Sequence, residues 1–139
     1  MKYSLTIYCT KSRLREIRAF TEDILRKHQM NELERSSVVL AIDEVCANLI
    51  IHGHHGKEDE ELKLQIDVKP NKVVFDIIDT SEMFNINQYE TPKLEDIIKK
   101  QRKGGLGLIL VKRIMDDIKI FSRGKYNVCQ LTKFKEKAD

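Results

Sequence analysis

Apolar and polar residues alternate over 3–9, YSLTIYC, and the aromatic and β-branched side chains there predict a strand that ends near Thr10 and Lys11. The period then changes. Between 14 and 28 the apolar positions Leu14, Ile17, Ala19, Phe20, Ile24 and Leu25 recur at helical intervals, which predicts a helix with Ser12 as its capping residue. A second helix is expected from Asn31 or Glu32, carried by Val38, Val39, Ala41, Ile42, Val45, Cys46, Leu49 and Ile50 and stopped by Gly53. The polar connection HHGKEDEE leads to two alternating stretches, LKLQIDV at 62–68 and KVVFDIID at 72–79. Their short link through Lys69, Pro70, Asn71 and Lys72 signals a hairpin.

Residues 80–105 lose this regularity, with scattered apolar side chains, Pro92, a short helix expected at 93–100 and the basic run KKQRK ahead of Gly104. A stretch of that length inside a small domain predicts a functional lid, placed at about 80–107. After Gly107, LILVKRIM predicts a helix, and 118–123 and 127–134 two closing strands. Strands therefore come in runs instead of alternating singly with helices. The expected architecture is α+β: a two-layer sandwich with a mixed β-sheet and helices on one face.

A chain of 139 residues supports one hydrophobic core, so residues 1–139 are read as one domain with a frayed tail at 135–139. Charged residues make up 34% and apolar residues 41%, and the net charge is only +3, which fits neither a disordered chain nor nucleic-acid binding by bulk charge. No apolar run reaches the length of a signal-peptide core or a membrane span, so a cytoplasmic protein without membrane contact is expected. Cys9, Cys46 and Cys129 are odd in number and far apart in apolar surroundings, the pattern of reduced structural thiols.

Three features bear on chemistry. Glu44, Asn48 and His52 stand four residues apart and stack on one helix face, where a carboxylate can take a proton and an amide oxygen can meet a hard cation. A solvated helix stripe is the plainer reading of such a pair. Asp76 and Asp79 close an apolar strand, and a buried carboxylate there can accept from an exocyclic amine such as that of adenine; a strand-end turn through Thr80 and Ser81 is the alternative. Half of the six glycines, Gly104, Gly105 and Gly107, fall within four residues just before a helix, so that loop amides and the helix N-terminus can cradle phosphate. No lysine follows as in a P-loop, and the spacing is not a dinucleotide fingerprint. His52, His54 and His55 crowd around Gly53 but lack zinc spacing.

Together these segments resemble the Bergerat-fold, or GHKL, ATPases. The stretch Leu40 to His54 is similar to their N box, in the E-x-x-x-N-x-x-x-H-G form of bacterial anti-sigma factor serine-protein kinases, with Glu44, Asn48, His52 and Gly53 at the defining positions. Asp79, Thr80, Ser81, Glu82, Met83 and Phe84 fall at the D-x-G-x-[GP]-F box, and GGLGLILV from Gly104, continuing through Arg113 to Asp117, matches the second glycine box and its helix. The end, from Gly124 through Asn127 to Lys133, is similar to the closing hairpin.

The resemblance implies ATP and Mg²⁺ as cofactors, with Asn48 as metal ligand, Glu44 as the base that activates the attacking hydroxyl and Asp79 on the adenine amine. It places Ser81, Phe84, Gly104, Gly105, Leu106, Gly107 and Leu108 in the nucleotide-binding set. It further implies phosphorylation of a serine on a STAS-type anti-sigma factor antagonist, sequestration of a sigma factor, and a homodimer. Ser81 stands where the adenine box has its first glycine and Met83 where a second glycine is common. A serine at a position needing positive φ strains the turn, which supports a rival expectation: a catalytically silent interaction module of the same fold.

Overall fold

The computed structural model describes residues 1–50, 60–79 and 105–135, with backbone alone over 105–108. Within them the chain forms β1 (Lys2–Tyr8), a short turn of 3₁₀ helix (Lys11–Arg13), α1 (Leu14–Lys27), α2 (Glu32–Asn48), β2 (Glu61–Val68), β3 (Lys72–Asp79), α3 (Gly105–Ile114), β4 (Asp117–Arg123) and β5 (Tyr126–Phe134). The expected short helix at 93–100, most of the expected lid and the end of the tail lie outside the described residues.

Each helix end has a local cause. Ser12 does not cap α1: its hydroxyl lies 3.0 Å from Thr10 Oγ1, and neither Thr10 nor Arg13 makes a side-chain cap bond. At the other end of α1 the Met30 amide donates to the Leu25 carbonyl and the Gln29 amide to Arg26, while Gln29 takes φ 65 in the left-handed region usually given to glycine. That reversal delivers the chain to Asn31, whose side-chain oxygen accepts from the Glu34 amide at 2.8 Å. Asn31→Ala is expected to lower unfolding stability by about 1 kcal/mol, measured by urea denaturation. An unchanged midpoint would mean that the cap contributes nothing.

The sheet has the order β1-β2-β3-β5-β4, and all of its neighbouring pairs are antiparallel. The expected α+β sandwich is present, but among the described residues the sheet is antiparallel and not mixed. Two helices separate β1 from β2, one leading away and one back, so the chain re-enters the sheet at the end it left, antiparallel to β1. Helix α3 leads into β4, which runs the same way as β3, and β5 then inserts between them. Two hairpins complete the pattern. The Lys69 amide donates to the Lys72 carbonyl in the first, and Gly124, at φ +64, turns the second.

Alternation sets one face of the sheet against the helices. Leu62, Leu64, Ile66 and Val68 of β2 and Val73, Phe75 and Ile77 of β3 are buried, and so are Ile17, Ile24 and Leu25 of α1 and Val38, Ala41, Ile42, Val45 and Cys46 of α2. The helix α2 packs between α1 and α3. Lys133 of β5 reaches back to α3, donating to the Ile114 carbonyl at 2.8 Å, where a cation meets the negative end of the helix.

Candidate functional site

Register shows where the candidate side chains gather. Ile7 pairs with Leu62, Leu62 with Asp79, Asp79 with Asn127 and Asn127 with Ser122, so these residues form one row across all five strands. This row lies at the end where β1 and β3 finish and β2 and β5 begin. From the same end α1 leaves and α2 returns, which brings Glu44 and Asn48 back to it. The α3 C-terminus feeds β4 at the far end, where the Asp116 amide donates to Thr132, so the first turn of α3 also faces the row. Elements distant in sequence thus present Glu44, Asn48, Asp79 and the α3 N-terminus at one end of the sandwich.

The individual groups suit different tasks. Asp79 is 1% exposed, a carboxylate on the otherwise apolar core face. Asn48 is half-buried, and its Nδ2 donates to the Glu44 carbonyl at 2.8 Å, which leaves Oδ1 as the atom able to meet a cation. Glu44 is also half-buried, and no ion pair or hydrogen bond engages its carboxylate among the described residues. A buried acceptor, an amide oxygen and a carboxylate one helical turn from it form a donor set that fits an adenine nucleotide with a hard divalent cation. The described residues contain no group of three or more His, Cys, Asp or Glu able to hold a metal by themselves. A metal here would depend on the amide oxygen and on the phosphates it accompanies.

The glycine box is placed differently from the sequence expectation. The helix starts at Gly105, so Gly105 and Gly107 lie in its first turn and not in a loop ahead of it. Their amides thereby belong to the N-terminal groups that have no partner within a helix. Gly104, Ser81, Phe84 and His52, His54 and His55 lie outside the described residues, as do the side chains of Leu106 and Leu108.

One group escapes sequence reasoning. Asn127 is a buried amide, 9% exposed, directly across from Asp79. Its signal was an amide in an apolar strand, legible only once the register set it beside the carboxylate. Cys9 is free and buried, as expected of a structural thiol: burial pushes it up to about 12, and the Asp79 carboxylate adds to the rise. Cys46 and Cys129 are also free, buried and raised by desolvation, Cys129 to about 12. Neutral thiols of this kind pack as small apolar groups.

Comparison with known proteins bears on the family and the fold. The family model described as the histidine kinase-like ATPase domain matches residues 8–133. The serine-protein kinase RsbW of Oceanobacillus iheyensis is 29% identical over 85 residues, 58% of this chain and 54% of that protein. The anti-sigma F factor of Clostridium botulinum is 27% identical over 93 residues, 64% of this chain and 62% of that protein. The chain thus spans about half the length of the curated relatives it matches.

Among solved structures, the RsbU and RsbW domains of Rv1364c from Mycobacterium tuberculosis superpose with a TM-score of 0.67 at 16% identity, over 99% of this chain and 34% of that one. The SiaB-SiaC complex from Pseudomonas aeruginosa gives 0.61 at 13% identity, over 96% and 89%. At such identities the likeness concerns the fold. Among the described residues no helix is long and apolar enough to cross a membrane. With the family match running from the end of β1 to the last turn of β5, the chain belongs to the histidine kinase-like ATPase domain family.

Proposed function

We propose that the protein is a Mg²⁺- and ATP-dependent serine-protein kinase of the anti-sigma type, which phosphorylates a serine on a STAS-type antagonist and sequesters a sigma factor in the cytoplasm. The observation that carries this reading is the gathering of Glu44, Asn48 and Asp79 at one end of the sandwich. The printed names of the relatives, serine-protein kinase and anti-sigma F factor, support the same direction.

ATP, when bound with Mg²⁺, supplies the phosphoryl group and the counter-charge for its transfer. Asp79, withdrawn from solvent at the end of β3, accepts from the adenine amine. Asn48 directs Oδ1 to the cation, its orientation held by the bond from Nδ2 to the Glu44 carbonyl. Glu44 takes the proton of the attacking serine hydroxyl at a carboxylate oxygen. Ser81, Phe84, Gly104, Gly105, Leu106, Gly107 and Leu108 complete the nucleotide-binding set, with the stretch before α3 as a lid. A homodimer belongs to the same proposal.

Ser81, at the glycine position of the adenine box, favours the rival reading of a silent interaction module. Calorimetric titration with Mg²⁺-ATP separates the two. Heat of binding from the native chain, lost in Asn48→Ala, is expected. No heat from either protein would sink the kinase reading and leave the interaction module.

A further inference from the structure

Among the described residues the outward surfaces of the three helices differ in chemistry. The helix α1 exposes charged residues, Arg15, Glu16, Arg18, Asp23, Arg26 and Lys27, and no large apolar one. Leucine stands in solvent on the other two: Leu33, 82% exposed, and Leu40, 43% exposed, on α2, and Leu110, 41% exposed, on α3. Helix propensity does not require leucine there, since lysine, glutamine and glutamate form helices equally well. The leucines of α2 are also aligned. Leu33 and Leu40 are seven residues, or two turns, apart, so they share one line on the helix surface about 10 Å long, and Glu44 follows Leu40 by one further turn. The helix α3 packs against α2. Leu110 lies about 8 Å along α3 from its start at Gly105, and Leu40 about 12 Å along α2 from its end at Asn48, so the two leucines stand at similar depths from the site. The apolar exposure of the helix layer is thus confined to the two helices that carry the candidate site.

We infer that the ridge of Leu33 and Leu40 on α2, with Leu110 on the adjoining α3, is the docking surface for the protein substrate, which covers it with an apolar face of its own. The inference rests on the kinase reading proposed above. A serine held on a folded protein reaches Glu44 only if that protein settles over the neighbouring turns of α2, and those turns are the ones that expose leucine. Covering the ridge removes apolar surface from water, the main favourable contribution to most protein association. The nucleotide, held through Asp79 and Asn48, makes no use of it. The ridge therefore sets affinity for the protein substrate and leaves nucleotide binding and the transfer step unaltered.

The test measures phosphoryl transfer from saturating Mg²⁺-ATP to a purified STAS-type antagonist carrying the acceptor serine. The native chain is compared with Leu33→Gln/Leu40→Gln, Leu110→Gln and Leu40→Met. Glutamine keeps helix propensity and removes the apolar contact, so the urea midpoint is expected to stay where it is. The double variant is expected to raise KM for the antagonist about 30-fold at unchanged kcat and unchanged Kd for Mg²⁺-ATP, and Leu110→Gln to raise it about fivefold. Leu40→Met, which keeps an apolar side chain of similar size, is expected to match the native chain. A short peptide spanning the serine brings no docking face, and its phosphorylation is expected to be equal in all four proteins. An unchanged KM in the double variant overturns the inference, as does a fall in kcat at constant KM. Equal losses for antagonist and peptide overturn it too, because they place the leucines in the reaction centre. A native dimer that the double variant turns into a monomer in sedimentation, at unchanged antagonist affinity, assigns the ridge to a second copy and overturns it. Calorimetric titration with the antagonist separates this inference from the reading beneath it. A native chain that binds the antagonist and transfers nothing sinks the kinase reading, while a native chain that does not bind it, or binds it no better than the double variant does, overturns the docking surface.

Discussion

Glu44→Ala is expected to keep nucleotide binding and to slow phosphoryl transfer by about 10²- to 10⁴-fold, the range for removing a positioned general base. The separation of the two effects follows from the local hydrogen bonding. Asn48 Nδ2 is held by the backbone carbonyl of Glu44 and not by its carboxylate, so deleting the side chain leaves the amide oriented. Among the described residues the carboxylate makes no ion pair whose loss would disturb α2. Calorimetry with Mg²⁺-ATP and a single-turnover assay on a serine-bearing antagonist read the two quantities independently. Transfer at the parent rate would remove Glu44 as the base. Loss of binding together with transfer would instead make it part of the nucleotide cradle.

The largest expected effect on stability is that of Phe75→Ala, about 3–5 kcal/mol. Phe75 lies on the central strand β3, fully buried, between Ile66 on β2 and Leu131 on β5, both fully buried as well. With neighbours fixed on both sides by the ladder, the space left by the ring cannot collapse, so the cavity cost adds to the lost transfer energy. Leu33→Ala is the control: Leu33 is 82% exposed on α2, and its truncation is expected to change stability by no more than about 0.5 kcal/mol. Urea denaturation of both variants gives the comparison. A Phe75→Ala shift no larger than that of Leu33→Ala would contradict the assigned core.

Legibility of the fold varied with the range of the interactions involved. The alternation at 62–68 and 72–79 and the helical spacing from Leu14 to Leu25 appear in the structure with boundaries within one or two residues, because burial of one face acts on neighbouring positions. Helix ends were less legible. Ser12 has the right chemistry for a cap, yet the 3₁₀ turn at Lys11–Arg13 takes the chain into α1 and leaves Arg13 at the cap position. The glycine cluster suggested a loop, but α3 begins at Gly105, since packing against α2 offsets the poor helix propensity of glycine.

By itself, the sequence determined the class of each element, the apolar face of each strand and helix, and the residue types able to bind a cation, take a proton and hold an amine. These follow from local spacing and side-chain chemistry. Only the tertiary structure decided that every strand pairing is antiparallel, because that depends on how many helices intervene before the chain returns to the sheet. It alone set Asn127 and Ser122 in line with Asp79, since register joins residues almost fifty positions apart and no local pattern carries that information. The polar row at the end of an apolar sheet is a property of the assembled strands, and it is there that the chemistry written into α2 finds its counterpart.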